Sequence, residues 1–258
     1  MAYRENAKIV KTGCLAEGVY EIWFETEIIA REARAGQFIS VYSNDGSKLL
    51  PRPISICRVE GNRLRIVFRV AGKGTYEFSQ MKEGDRLDIQ GPLGNGYYSD
   101  AVDNNCRAIL FGGGIGIPPM LELAHRLNCR KNVVVGYRDS QTFLKSEFEA
   151  VADTDVYIAT EDGSVGTKGN VLDAVKANGI EGDIIFACGP TPMLRAIKTF
   201  ALENNIPCFV SLEEKMACGI GACLACVCKS TDIDDHSNVN NKRVCKEGPV
   251  FNVKEVEL

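Results

Sequence analysis

Residues 106–212 alternate between short apolar runs and helical patterns, and this alternation constrains the fold more than any other feature. The apolar runs are AILF at 108, VVVG at 133, VYIA at 156, DIIFA at 183 and CFVS at 208. Two intervening segments, PMLELAHRL and TPMLRAIKTFALENN, repeat apolar residues at helical spacing. Strands that alternate with helices predict a parallel, doubly wound α/β sheet, which binds ligands at the carboxyl ends of its strands.

The first 100 residues have a different pattern, typical of β-structure. In RLRIVFRV, which begins at residue 63, Leu64, Ile66 and Phe68 alternate with other side chains, which predicts one buried face and one wet or ligand-facing face. Gly61 and Asn62 supply a hairpin turn just before this run. Short strands separated by Gly, Asn and Asp predict a small antiparallel barrel over residues 1–100.

Composition excludes several classes of function. Of the 258 residues, 45% are hydrophobic and 25% are charged, and the formal net charge is -4, so disorder and nucleic-acid binding are not expected. The start, MAYRENAKIV, lacks the apolar core of a signal peptide, and no run of about 18 apolar residues predicts a membrane span. The sequence therefore predicts a cytoplasmic protein with reduced cysteines.

Five of the eleven cysteines follow residue 215, in a segment that we place at 213–258. Cys218, Cys223 and Cys226 have the C-x4-C-x2-C spacing of plant-type 2Fe-2S sites, and Cys245 is the downstream candidate for the fourth ligand. Cys228 lies two residues beyond Cys226, outside the C-x4-C-x2-C spacing, and is not expected to be a ligand. A structural zinc site also accepts four thiolates and stays an alternative at this point.

Two glycine-containing turns follow predicted strands of the α/β region. The first, LFGGGIGIPPM, contains Gly112, Gly113, Gly114 and Gly116, more glycines than a packing turn is expected to need, and suits the close approach of a pyrophosphate. The second, ACGPTPML, places Cys188, Gly189 and Pro190 at a strand end. The Glu213-Glu214 pair that follows the last strand is interpreted as a solvated connector.

The predicted barrel carries two further candidate motifs. Arg52, Pro53, Ile54 and Ser55 begin a strand, and GKGT at 72–75 comes after the next strand, before a helix predicted to start near Tyr76. Glycine amides at a helix start suit a phosphate group. Taken alone, the first motif also suits a proline-initiated strand with a solvated arginine, and the second a flexible hairpin end.

The order of these motifs over the first 212 residues resembles the ferredoxin reductase superfamily. With MACGIGACLACVCK and KRVCKEGPVFN added, the whole chain resembles the electron-transfer subunits of NAD-dependent, B-type dihydroorotate dehydrogenases. The resemblance implies FAD, NAD and one 2Fe-2S cluster. It implies that FAD contacts Arg52, Pro53, Ile54, Ser55, Val67, Phe68, Arg69, Gly74 and Thr75. The nucleotide would contact Gly112, Gly113, Gly114, Gly116, Cys188, Gly189 and Pro190, and the cluster ligands would be Cys218, Cys223, Cys226 and Cys245.

The resemblance also implies a partner. It is an FMN-containing catalytic subunit that oxidises dihydroorotate to orotate in pyrimidine synthesis, in a two-plus-two heterotetramer. No separate set of acid, base or nucleophile is evident in this chain, so no catalytic residue is assigned to it. Two alternatives stay open: a subunit of an NADPH-dependent ferredoxin or sulfur reductase, and a zinc-bearing nucleotide sensor without enzymatic activity.

The choice between NAD and NADP is predicted from GYRDSQ, which follows the second strand of the α/β region. It offers one cation, Arg138, immediately followed by Asp139. A carboxylate suits a ribose hydroxyl and opposes a 2'-phosphate. The sequence therefore favours NAD.

Overall fold

The computed structural model of the chain describes residues 2–99, 102–233 and 239–258. Its first part is a closed antiparallel barrel with the strand order β1-β2-β5-β4-β3-β6. The barrel strands are β1 (Tyr3–Ala16), β2 (Val19–Glu25), β3 (Phe38–Val41), β4 (Arg52–Glu60), β5 (Arg63–Arg69) and β6 (Arg86–Leu93), with α1 (Ile29–Glu32) and α2 (Lys73–Ser79) in the connections. The antiparallel barrel expected from the sequence is confirmed.

The interior of the barrel is filled by alternate side chains of its strands, as the two-residue period of a strand requires. Leu64, Ile66 and Phe68 of β5 are all buried, in agreement with the sequence pattern. On the opposite face, which is predicted to be wet or ligand-facing, Arg63 and Arg69 are exposed at the strand ends but Arg65 and Val67 are buried. The reason is tertiary: the helical layer of the second domain covers this side of the barrel, and Arg65 forms ion pairs there.

The second part is a seven-stranded sheet with the order β10-β9-β8-β7-β11-β12-β15. Its strands are β7 (Arg107–Gly113), β8 (Arg130–Tyr137), β9 (Thr154–Thr160), β10 (Thr167–Lys168), β11 (Ile184–Cys188), β12 (Cys208–Ser211) and β15 (Val250–Asn252). The helices are α3 (Ile117–Arg126), α4 (Lys145–Glu149), α5 (Val171–Asn178) and α6 (Thr191–Glu203). The five strands expected from the sequence are present and pair in parallel. None of the described helices has the length and apolar character needed to cross a membrane.

The last segment of the chain forms a small two-stranded sheet and then adds a strand to the large sheet. After the cysteine-rich loop, β13 (Val227–Lys229) pairs antiparallel with β14 (Asn241–Arg243). The chain then adds β15 to the edge of the sheet, antiparallel to β12, a strand that the sequence did not indicate. Of the polar stretch 230–242, for which a hairpin or loop is expected, residues 234–238 lie outside the described part of the chain.

Candidate functional site

The first component of the site is the rim of the barrel where β4 begins. Helix α2 starts at Lys73, three residues earlier than expected, so Gly74 and Thr75 lie in its first turn. The Arg52 guanidinium crosses Gly74 so closely that a Cβ at Gly74 would lie 2.5 Å from Arg52 Nε. A cation therefore lies beside the first turn of a helix, at a glycine that leaves room for it, and this combination suits the diphosphate of FAD.

The end of β5 connects this rim to the nucleotide-binding turn. Phe68 stacks on Tyr20 with ring centroids 6.2 Å apart, which holds the strand end in the barrel core. Arg69 extends outwards, and its Nη2 atom lies 3.9 Å from the position that a Cβ would take on Gly114. The predicted flavin strand and the predicted nucleotide turn thus come together, although they are 45 residues apart in the sequence.

Three of the four glycines in the first glycine-rich turn have a packing reason. A Cβ on Gly116 would lie 2.4 Å from the Cys188 carbonyl oxygen, and one on Gly113 would lie 2.5 Å from Met193 Sδ. A Cβ on Gly112 would lie 3.1 Å from Ile117 Cα. Packing therefore accounts for three of the four glycines and leaves Gly114 without a packing reason.

Gly114 is different, and it is the glycine of this turn that leaves space for a ligand. Its φ is +55°, in the left-handed region, and the nearest atom to a Cβ there would be Arg69 Nη2. It lies at the carboxyl end of β7, next to the end of β11 in the same sheet. This is where a parallel sheet binds a nucleotide diphosphate.

A carboxylate that sequence reasoning missed lies beside these turns. The pKa of Glu213 is raised because surrounding protein desolvates it, although part of the residue remains exposed, and Arg69 opposes the rise. Its charge also acts on the Cys188 thiol, whose pKa is raised chiefly by burial. Glu213 is thus close enough to Arg69 and Cys188 to interact with their charges. Both Glu213 and Glu214 are exposed, as a solvated connector requires.

The cysteine-rich loop places the four thiols as two neighbouring pairs. The Cys223 thiol lowers the pKa of Cys218, and the Cys226 thiol raises the pKa of Cys245. Backbone amides point at three of the sulfurs: Ala222 N lies 3.3 Å from Cys218 Sγ, Gly221 N lies 3.1 Å from Cys245 Sγ, and Cys245 N lies 3.4 Å from Cys226 Sγ. Such amides stabilise negative charge on sulfur, so the loop suits thiolate ligands.

The ionisation of Cys218 shows the effect of these amides. Desolvation would raise its pKa, but the Ile220 amide, the Cys223 thiol and further backbone hydrogen bonds lower the pKa to about 6. Cys218 is therefore largely a thiolate at neutral pH, and thiolates are the form that binds metal.

Cysteine thiolates are ligands of both structural zinc sites and 2Fe-2S clusters. A zinc site places four ligands around one ion, whereas a 2Fe-2S cluster uses two thiolates on each of two irons. In the second case, Cys218 with Cys223 and Cys226 with Cys245 would each supply one iron.

The loop packs directly on the flavin half of the molecule. A Cβ on Gly219, whose φ is +69°, would lie 3.0 Å from Ser40 Oγ. Ser40 pairs with Pro53 across β3 and β4, so the cysteine loop is one strand away from the rim strand. Asn95 secures the other side of the loop, because its side-chain amide donates to the carbonyls of Lys246 and Glu247, beside Cys245.

The outer surface of this loop is apolar and exposed. Ile220, Leu224 and Val227 are 50%, 62% and 37% exposed, and they lie within four residues of the exposed Cys223 in the chain. We call these four residues the cluster face. Cys228 is buried on β13, and burial raises its pKa. Cys226 and Cys245 are buried as well, so the exclusion of Cys228 from the ligands stays a prediction.

Comparisons with known proteins agree with this geometry. Residues 213–257 match the family model described as the iron-sulfur cluster binding domain of dihydroorotate dehydrogenase B. The electron transfer subunits of dihydroorotate dehydrogenase B (NAD(+)) from Geobacillus kaustophilus and Bacillus caldolyticus are each 41% identical to this chain, over 100% of both chains. The structure of the NADH-dependent reduced ferredoxin-NADP oxidoreductase superposes with a TM-score of 0.86 and 32% identity, covering 98% of this chain and 90% of that one. The chain therefore belongs to the family of electron-transfer subunits of NAD-dependent dihydroorotate dehydrogenase B.

Proposed function

We propose that this chain passes electrons between NAD and a dihydroorotate-oxidising catalytic subunit, through FAD and a 2Fe-2S cluster that it holds itself. The observation that carries the proposal is the contact of three components. The Arg52 rim, the Gly114 turn and the cysteine loop adjoin one another through Arg69 and Ser40. Electron transfer requires such proximity, and the separate stretches of sequence have no other evident reason to converge.

The flavin site is assigned to the barrel rim and the end of β5. Arg52 and the α2 amides would hold the diphosphate, and β4 and β5 would line the ring. The residues assigned are Arg52, Pro53, Ile54, Ser55, Val67, Phe68, Arg69, Gly74 and Thr75. When bound, FAD exchanges two electrons with nicotinamide and single electrons with the cluster. The protein contributes orientation and charge, chiefly through Arg52 and Arg69.

The nucleotide site is assigned to the carboxyl edge of the sheet. Gly114 leaves its amide open to the diphosphate, while Gly112, Gly113 and Gly116 let the turn pack on Cys188, Gly189 and Pro190. These three residues, with Glu213, would border the nicotinamide. The role of the packing glycines is then indirect, since they hold the turn in place.

The cluster ligands are assigned to Cys218, Cys223, Cys226 and Cys245. The first two form one thiol pair and the last two form the other. The domains are assigned as 1–100 for FAD, 101–212 for NAD and 213–258 for the cluster. The first boundary, between residues 100 and 101, lies outside the described part of the chain.

The partner is assigned as an FMN-containing catalytic subunit, in a two-plus-two heterotetramer in the cytoplasm. Exposed apolar residues at a protein surface are typical of an interaction site. The cluster face has this character and adjoins the thiols, so a partner bound there would both cover the loop and exchange electrons with it.

The decisive test is an assay of reconstituted activity. The chain, loaded with both cofactors, is purified alone and together with the catalytic subunit, and dihydroorotate-dependent NAD reduction is measured. We expect turnover only when both subunits are present. Turnover by the isolated chain would disprove the division of labour, and no turnover by the complex would disprove the assignment of the partner.

A second candidate function is supported by the similarity to the NADH-dependent reduced ferredoxin-NADP oxidoreductase. In that case the complex would reduce ferredoxin with NADPH and would be inactive with dihydroorotate. The same purified complex, assayed with ferredoxin and NADPH, distinguishes the two functions.

The preference for NAD is testable at Asp139. Asp139 lies in the loop after β8, where its carboxylate accepts a hydrogen bond from the Gln141 amide at 2.9 Å. Asp139→Asn removes a charge that would repel a 2'-phosphate, so we expect the NADH:NADPH ratio of kcat/KM to fall about tenfold, the effect of about 1.4 kcal/mol. Asp155→Asn, at the opposite end of the neighbouring strand, is the control and should leave the ratio unchanged. An unchanged ratio in Asp139→Asn would remove this residue from the nucleotide site.

A further inference from the structure

Two buried ion-pair groups join the barrel to the sheet domain, and neither belongs to a cofactor site. One is centred on Glu122 in α3, and the other on Arg65 in β5. A charge in a protein interior is costly unless it is paired and hydrogen-bonded, so such groups impose one specific geometry. Each group joins a barrel strand to a helix of the sheet domain.

The Glu122 carboxylate binds both a side chain and the backbone of the barrel strand β4. The residue is 0% exposed. Its Oε2 atom accepts hydrogen bonds from Arg58 Nη1 at 3.0 Å and from the Val59 backbone amide at 2.9 Å, both on β4. Its Oε1 atom accepts from Arg126 Nε at 2.7 Å within α3. Because one bond goes to the backbone of β4, the carboxylate fixes the strand itself as well as a flexible side chain.

Arg65 makes the second connection, from β5. It is 3% exposed, and its Nε atom contacts Glu21 Oε2 of β2 at 2.6 Å. Its two terminal nitrogens bind the carboxylate of Glu147 in α4, with Nη1 to Oε2 at 2.5 Å and Nη2 to Oε1 at 3.0 Å. This bidentate geometry holds both partners in orientation as well as in distance.

The elements joined in this way also carry the proposed cofactor sites. β4 begins with the Arg52 rim and β5 ends at Arg69, whereas α3 begins immediately after Gly114–Gly116. The ion pairs of Arg65 and Glu122 thus lie on the same strand and helix whose ends bring Arg69 near Gly114. A rotation between the domains would move the nucleotide turn away from the rim.

We infer that Glu122 and Arg65 are positioning residues for electron exchange between NAD and FAD: their ion pairs hold the two domains in the single orientation that brings nicotinamide against the flavin. The inference rests on the proposed function. It assigns these residues no contact with either cofactor. Reacting atoms must approach within roughly 3 to 3.5 Å, and a misplacement of about 1 Å can reduce a rate about 100-fold.

The first test uses Glu147→Ala in the full chain loaded with FAD and cluster. Its matched control is Glu149→Ala, on the same helix, similarly exposed and paired only with Lys145. Flavin reduction by NADH is followed by stopped flow over a range of NADH concentrations. We expect the limiting rate to fall at least about fivefold in Glu147→Ala, with the apparent Kd for NADH changed less than twofold and the control unchanged.

Glu122→Gln, which keeps the shape of the side chain but removes its charge, should have the larger effect, about tenfold or more. Deuterated NADH gives a readout that a purely structural role would not move, because impaired approach raises the primary isotope effect on flavin reduction. Glu122→Asp, which restores the charge, should recover part of the rate.

A third readout needs no cofactor. Trp23 is the single tryptophan of the chain, its Nε1 atom donates to Glu21 at 3.3 Å, and Arg65 lies 5.5 Å from the centre of its ring. In FAD-free chain, Glu147→Ala should change the Trp23 emission because Arg65 loses its partner in the other domain, whereas Glu149→Ala should not. This measurement detects the coupling even if a variant loses FAD.

The outcomes separate the inference from the proposed function. If NADH does not reduce the flavin of the unaltered chain, the proposed function fails. If it does, and both Glu122→Gln and Glu147→Ala reduce flavin at the control rate with an unchanged isotope effect, the inference is overturned. A rate that falls only in proportion to lost affinity for NADH would also overturn it.

Discussion

Cys245→Ser is expected to abolish the 2Fe-2S cluster. The serine hydroxyl is a poor replacement for a buried thiolate, and Cys245 supplies one half of the Cys226 pair from a distant part of the chain. We expect bound iron to fall below about a tenth of the unaltered level and the electron paramagnetic resonance signal of the reduced protein to disappear. Flavin reduction by NADH should persist, since the barrel and the sheet are not altered, whereas electron delivery to the partner should be lost.

Cys228→Ser is the matched control, because it makes the same substitution in the same segment at a buried thiol outside the proposed ligand set. It should retain iron and signal, although loss of a buried sulfur in β13 lowers stability somewhat. The assignment would be reversed if Cys228→Ser lost the signal and Cys245→Ser kept it. A colourless unaltered protein that contains zinc would instead support the zinc alternative.

Leu224→Asp is expected to weaken association with the catalytic subunit about 30-fold. Leu224 is 62% exposed and lies next to Cys223 at the centre of the cluster face. A charge placed in the apolar centre of an interface is desolvated without a partner, and hot-spot residues typically contribute about 2 kcal/mol or more, which corresponds to this change in Kd. Titration of the immobilised catalytic subunit with the loaded chain measures it.

The control is Leu202→Asp, at a 44% exposed leucine of α6 outside the cluster face. It should bind the catalytic subunit with unchanged Kd. Both variants should keep iron and FAD, which separates a lost interface from a damaged site. Equal affinity of the two variants would show that the partner binds another surface, and the cluster face would then need a different explanation.

Much of the site was predictable because its components are encoded locally. The Gly114 turn, the Arg52 motif and the cysteine spacing each lie within a short stretch, and each has a local physical signature such as a glycine-rich strand end or closely spaced thiols. Glu213 was missed because it has no such local signature. Its relation to Arg69 and Cys188 exists only in the folded chain.

Arg65 shows where a pattern read from sequence fails. Alternation along β5 correctly predicted that Leu64, Ile66 and Phe68 are buried, but it also predicted a wet or ligand-facing side for Arg65, which is instead buried in ion pairs. Hydrophobic periodicity reports which face of a strand meets its own core. It contains no information about a second domain that covers the other face. Nor does it show that the carboxylates of Glu21 and Glu147 offset the cost of burying the Arg65 guanidinium.

The sequence by itself determined the barrel, the parallel sheet and the identity of the cofactor motifs, because hydrophobic period, turn residues and cysteine spacing act over a few neighbouring residues. Only the tertiary structure decided which parts meet. It paired the thiols two by two, brought Arg69 to Gly114 and Gly219 to Ser40, added β15 to the sheet and buried Glu122 between the domains. These contacts depend on chain segments far apart in sequence, and their energies are set by burial and charge in the assembled fold.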